Sequence, residues 1–166
     1  MTRPPFIAIA AVDDRLGIAR NGTLPWHVPS DLKRFRRLTV GDGRNAIVMG
    51  RLTWQSPEVG ARPLPRRLNV VLARTELATQ GAILAHTWRE VIEATRDCEN
   101  VWIAGGAGVY ASAFEEGLVD AIELTRIGGD FGCDLFFPAI PESFHMIHSE
   151  DRLDGTIAVR DERWQR

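Results

Sequence analysis

Lysine is almost missing from this chain: Lys33 is its only one, and arginine carries nearly all the positive charge. Schiff-base chemistry would rest on that single amine, and its neighbours Arg34, Arg36 and Arg37 mark the segment as a charged helix face instead. Cysteine is scarce too. Cys98 and Cys133 belong to no motif, which excludes a disulfide framework and points to a reducing, cytoplasmic setting. Long apolar runs are absent. The first run, Phe6 to Val12, is too short to cross a bilayer, is followed at once by Asp13 and Asp14, and is not preceded by a charged n-region with a long apolar h-region. It reads as a buried strand, not a signal peptide. A net charge of −2 gives no reason to expect nucleic acid or a membrane as partner. His145 and His148 do not form H-E-x-x-H, so no metal is expected. The Walker A loop, G-x-G-x-x-G and G-x-S-x-G are all missing.

What remains is an ordinary globular composition, 45% apolar over 166 residues, enough for one domain with its own core. Strands are expected near Phe6–Val12, Ala46–Met49, Leu68–Ala73, Ala82–Ala85, Val101–Ala104, Ala121–Ile127, Phe144–Glu150 and Thr156–Trp164. Several are continuous apolar runs, as in strands buried on both faces. Helices are expected near Asp31–Thr39, Thr53–Ser56, Trp88–Asp97 and Val109–Glu116, with Thr87 and Glu90 spaced as a capping box. The turn-rich segments 13–30, 57–67 and 128–143 read as loops. Alternating strands and helices argue for an α/β fold: an eight-stranded, mainly parallel mixed sheet flanked by about four helices. The last three strands have no helix between them, which makes that end of the sheet antiparallel.

Three places can carry chemistry. Pro29 and Ser30 open the first helix, with Ser30 in the N-cap role. Asp31 shares its apolar face with Leu32, Phe35 and Leu38. A carboxylate there either compensates the helix dipole or sits in an apolar pocket, aimed at a cationic or amidine-like ligand edge. Next come two strand-glycine-helix junctions, Ile47 to Trp54 and Val101 to Tyr110. Either is a packing turn or a phosphate cradle; with Arg51 and Arg74 available, the pair fits a phosphorylated dinucleotide. Arg62-Pro63-Leu64-Pro65-Arg66-Arg67 is a rigid basic loop, either solvated or suited to a carboxylate.

In order and spacing these segments resemble the dihydrofolate reductase family. The resemblance rests on Gly17 to Trp26 with its Leu-Pro-Trp, on Ser30 to Phe35, on Ile47 to Trp54, on Arg62 to Leu72 and on Ile103 to Tyr110. It is completed by Leu124-Thr125-Arg126-Ile127 and by Cys133 to Pro138, and it covers nearly the whole chain. It implies the family's fold, with residues 44–98 as an adenosine-binding subdomain, and NADPH-dependent reduction of 7,8-dihydrofolate.

The resemblance also implies roles. Asp31, Trp26 and Thr125 would be catalytic. Ile7, Ala8, Leu32, Phe35, Leu64 and Ala104 would wall the substrate site, and Arg67 would clamp the glutamate tail. The cofactor would meet Ala8 and the loop residues Ile18, Ala19, Asn21, Gly22 and Leu24. It would meet Gly50, Arg51, Leu52 and Thr53 at one junction, and Leu72, Ala73, Arg74 and Thr75 on the strand between. At the other junction it would meet Ala104, Gly105, Gly106, Ala107, Gly108, Val109 and Tyr110, with a cis Gly105–Gly106 peptide. Arg51 and Arg74 favour NADPH over NADH. Small molecules, dihydrofolate and antifolate inhibitors, would be the partners of a cytoplasmic monomer. Ala19, Leu52, Pro57, Arg66, Ala73 and Gly108 depart from the family pattern. Three alternatives stand beside this reading: a reductase of another heterocycle on the same fold, such as the riboflavin-pathway pyrimidine reductases, a non-catalytic nucleotide-binding protein, and a structural or interaction module.

Overall fold

The computed structural model describes residues 2–166. Eight strands form one sheet. In chain order they are β1 (Phe6–Val12), β3 (Ala46–Gly50), β4 (Leu68–Leu72), β5 (Ile83–Ala85), β6 (Val101–Ile103), β7 (Ala121–Ile127), β9 (His145–Asp154) and β10 (Ile157–Gln165). Two short strands, β2 (Gly17–Ala19) and β8 (Leu135–Phe136), pair antiparallel beside it. The helices are α1 (Pro29–Val40), α2 (Arg51–Trp54), α3 (Trp88–Ala94) and α4 (Ala107–Glu115).

The sheet runs β5-β4-β3-β6-β1-β7-β10-β9. Every pairing from β5 to β7 is parallel, and β10 and β9 close the sheet antiparallel. This is the α/β architecture expected from the sequence. The alternation of β1 and β3 sends one set of side chains to each face. Ala8, Val12, Ala46 and Val48 join the cluster that receives Val91, Tyr110 and Ala113 of α3 and α4. Ile7, Ile9, Ile47 and Met49 face the other way, where Phe35 of α1 and Trp54 of α2 cover them.

Three local expectations need correction. Ser30 is not an N-cap: α1 starts two residues earlier, with Val28 at the cap position and Pro29 at the first helical position, where proline's missing N–H does no harm. The Ser30 hydroxyl and N–H instead donate to Asp154 at 2.6 and 3.0 Å, which anchors α1 to the end of β9. The capping box at α3 is offset. Thr87 accepts from the Glu90 N–H as expected, but the Glu90 carboxylate accepts from His86 N, not from Thr87 N. The loops at 13–30 and 128–143 carry β2 and β8, too short to show a two-residue period.

Asp13 joins those loops. Its buried carboxylate accepts from Arg15 N at 2.9 Å, Gly17 N at 2.8 Å and Phe131 N at 3.1 Å. Gly17 has to be glycine here, because a Cβ would lie 2.4 Å from the Cβ of Cys133. Burial pushes the Asp13 carboxyl up, but the backbone N–H bonds and the Cys133 thiol outweigh it and hold it below the usual range. Its stabilisation is therefore complete above the unfolded-state value near ~3.9 and fades as pH falls through the lower folded value. Asp13→Ala should cost at least ~2 kcal/mol in urea unfolding at neutral pH, because three amides lose a charged acceptor. The gap between variant and wild type should close in acid; equal stability at neutral pH would contradict this role.

Candidate active site

The two glycine junctions, separate in sequence, meet in space. β3 and β6 are neighbours, and Gly50 N donates to the Gly105 carbonyl at 2.8 Å. From β3 the chain moves outward to β4 and β5, then returns on the other side of β3 as β6, next to β1. Ligands of open α/β sheets bind at such a reversal, beyond the carboxyl ends of the strands. Glycine is needed for the approach: a Cβ on Gly50 would lie 2.8 Å from Val109 Cγ2, and Gly105 has φ +115. The Gly105–Gly106 peptide is cis. Past it, α4 begins with the N–H groups of Ala107, Gly108 and Val109 outside the helical ladder, and open space lies over Gly108.

Arg51 and Arg74 are exposed beside this crease. No carboxylate among the described residues lies within 4.0 Å of either. Free amides, close backbone approach and unpaired guanidiniums form a donor set that fits a dinucleotide bearing an extra phosphate. Thr53, Leu72, Ala73 and Thr75 border the same end of the sheet, and the exposed Leu52 projects from α2. Tyr110 differs from its neighbours. Its ring is buried and its hydroxyl donates to the Ile9 carbonyl at 2.6 Å, so it braces β1 and has no hydroxyl to spare.

The second half of the cleft lies under α1. Asp31 occupies its first turn, facing β7, where Thr125 is buried. Burial raises the Asp31 carboxyl above its usual value. A Thr125 hydrogen bond and the charges of Arg34 and Arg152 pull the other way, and Asp161 adds to the rise. Among the described residues no cation comes within 4.0 Å of Asp31, so there it is a desolvated acid without an ion-pair partner of its own.

Phe35, Leu64 and Ala104 pack together against Ile47, Met49 and Trp54, and Ile7 lies beside Phe35. Leu32 is 48% exposed and faces the opening. Ala8 turns its methyl to the opposite cluster, which leaves only its main chain on this side. Arg67 donates from Nε to Pro65 O and from Nη1 to Thr39 Oγ1, both at 2.9 Å. Those bonds fix its guanidinium at the far end of α1. Burial and the nearby Arg36 lower its proton affinity, the mark of positive charge gathered without a counter-ion.

The loop above holds Ile18 and Ala19 in β2, then turns through Asn21 and Gly22. Both turn residues have positive φ, and Arg20 and Thr23 exchange backbone bonds around them, the turn that Asn-Gly favours. Trp26 follows, edge-on to Phe131 at 5.3 Å. Two features were not legible in the sequence. Glu58 reaches this loop, accepting from Thr23 Oγ1 and Leu24 N at 2.7 Å each. Behind Asp31, Arg34, Glu123, Asp161 and Arg152 form a linked set of charges. Among the described residues no group of His, Cys, Asp and Glu could hold a metal ion, and no helix is long and apolar enough to cross a membrane.

A sequence model of the dihydrofolate reductase family matches residues 5–161. The chain is 38% identical to the dihydrofolate reductase of Drosophila melanogaster, over 95% of this chain and 91% of that one. It is 34% identical to the bifunctional dihydrofolate reductase-thymidylate synthase of Daucus carota, of which it spans 35%. The solved dihydrofolate reductase of Enterococcus faecalis, complexed with NADP(H) and RAB-propyl, superimposes with a TM-score of 0.86 at 30% identity, covering 98% of this chain and 96% of the other. By its fold, the family model and these relatives, the chain belongs to the dihydrofolate reductase family.

Proposed function

We propose that this protein reduces 7,8-dihydrofolate to 5,6,7,8-tetrahydrofolate, with NADPH as reductant. The observation that carries the reading is Asp31, a desolvated carboxylate with no ion-pair partner among the described residues, set across one cleft from the joined glycine junctions. Family membership and the NADP(H) complex of the Enterococcus relative support it.

Bound NADPH supplies the hydride, from nicotinamide C4 to pterin C6. Residues 44–98 would carry its adenosine half, with Arg51 and Arg74 on the 2′-phosphate. Asp31 accepts from the pterin 2-amino group and N3, and its charge favours a proton at N5, which makes C6 the better acceptor. Thr125 steadies that carboxylate, and Trp26 closes the same end. Ile7, Leu32, Phe35, Leu64 and Ala104 wall the rings, while Arg67 clamps the glutamate α-carboxylate. The loop from Ile18 to Leu24 shuts out bulk water. The same reading makes the protein a cytoplasmic monomer whose partners are small molecules, antifolates included.

Absorbance of NADPH at neutral pH, with and without dihydrofolate, tests this directly. Dihydrofolate-dependent oxidation is the expected result; NADPH binding without turnover would transfer the site to another heterocycle. Asp31→Asn should keep the fold and NADPH affinity but lower turnover by about a hundredfold or more, in the range of a lost acid-base group. The loss should ease at low pH, where the substrate arrives already protonated. Near-wild-type turnover at neutral pH would remove Asp31 from its role.

Glu58→Ala should free the loop. Hydrogen exchange at the Leu24 amide should quicken about tenfold, as expected for one hydrogen bond to a charged acceptor. An unchanged rate would show that Glu58 does not restrain the loop.

A further inference from the structure

Most charges in this molecule pair at the surface, where they contribute little. One set does not. Arg34, on α1, is only 14% exposed, and its guanidinium lies between Glu123 of β7 and Asp161 of β10. Nη2 donates to Glu123 Oε2 at 2.6 Å, and Nε lies 3.6 Å from Asp161 Oδ1. The two acids are themselves 7% and 13% exposed. Arg163 donates to the other Glu123 oxygen, and Arg152 donates to both oxygens of Asp161, at 2.8 and 3.3 Å. Strand register explains the grouping: Asp161 stands opposite Thr125, and Arg163 opposite Glu123.

Three guanidiniums thus face two carboxylates in direct contact, an excess of one positive charge in a half-dry layer between helix and sheet. Asp31 stands one helical turn before Arg34 and feels both Arg34 and Arg152, while Asp154, joined to Arg152 through the Ser30 hydroxyl, takes a share of the Arg152 charge at the edge. Apolar side chains would fill such a layer at least as stably, since a buried ion pair rarely gains more than its desolvation removes. Stability alone therefore gives no reason for the charges; a field aimed at Asp31 does.

Thr125 links the two systems. Its hydroxyl lies 3.4 Å from Arg34 Nη1 and 3.5 Å from Asp161 Oδ1, and it also serves Asp31. A hydroxyl has one proton to donate. Arg34 Nη1 donates to it and its one proton goes to Asp161 Oδ1, so Arg34 and Asp161 together hold the hydroxyl in place.

We propose that Arg34 is a positioning residue for the reaction: with Asp161 it fixes the Thr125 hydroxyl, and it sets a positive charge one helical turn from the Asp31 carboxylate. The proposal rests on the assignment of Asp31 as the substrate-binding acid. The groups facing that acid are Arg34 on α1, Thr125 on β7, Arg152 on β9, Asp161 on β10 and the buried Tyr110 of α4, which stays neutral. Glu123 acts through Arg34.

Carbon-13 NMR titration of the Asp31 carboxyl in the unliganded protein, with Asp31→Asn to assign the signal, is the test. It needs no turnover, so it is independent of whether dihydrofolate is the substrate. Arg34→Leu should raise the Asp31 midpoint by about one pH unit or more, since a nearby cation is lost. Glu123→Gln should lower it, because an opposing negative charge goes. Arg34→Lys should restore most of the charge effect without the bond to Thr125. A residue that merely packs would not move the two midpoints in opposite directions. If Arg34→Leu does not fold, Glu123→Gln decides alone. An Asp31 midpoint unchanged in the folded variants would overturn the proposal.

Discussion

A half-buried carboxylate under a helix start, with no ion-pair partner among the described residues, is the constraint on which the rest of this structure depends. Removing an acid from water raises its proton affinity, and an acid so placed drifts towards its neutral form unless something opposes the drift. Here the opposition comes from a distance, through Thr125 and the guanidiniums of Arg34 and Arg152. A direct salt bridge would have held the charge more firmly, but it would also have occupied the oxygens that the proposed substrate would reach. The local architecture follows from that compromise. Pro29 starts α1 early enough to put Asp31 in the first turn, Asp154 anchors the helix through Ser30, and β7 and β10 present their polar residues to the same face.

The other half of the site answers a different constraint, the close approach of backbone to a large anion. Two strands must end side by side and turn away without side chains in between. The sheet order achieves this by returning the chain to β6, between β3 and β1. Gly50 and Gly105 then meet at 2.8 Å, and the helices that follow leave amides pointing at the gap. The loops are tied by acids: Asp13 just past the end of β1, Asp134 at the Asn21 turn and Glu58 from across the opening. The first is buried and permanent, while the last is exposed and therefore easy to release.

Much of this was legible in the sequence. Continuous apolar runs marked the inner strands such as β1, β3 and β6, since strands buried on both faces leave that trace, while the polar, exposed β9 carries no such run. The glycine junctions, the basic proline loop and Asp31 stood out because glycine, proline and an acid on an apolar face each break a local rule. The missed features have one cause in common: they pair residues far apart in the chain. Nothing near Glu58 points to Leu24, and Glu123 and Asp161 read as the polar half of ordinary strands until register places them beneath Arg34. Ser30 misled because a serine after proline looks like a cap, whereas its partner, Asp154, lies at the far end of the chain. Tyr110 stood in the right segment, but its hydroxyl is used inside the fold.

The central claim is that an ionised Asp31 receives the amidine-like edge of the ligand. Calorimetry of a 2,4-diaminopyrimidine binding to the protein, in two buffers of different ionisation heat, tests it most directly when run above the ligand's own pKa. The account predicts an uptake of ~1 proton per ligand bound, as the neutral ligand becomes a cation against the carboxylate, and loss of that uptake in Asp31→Asn. Tight binding with no proton taken up, or uptake that survives the substitution, would contradict it.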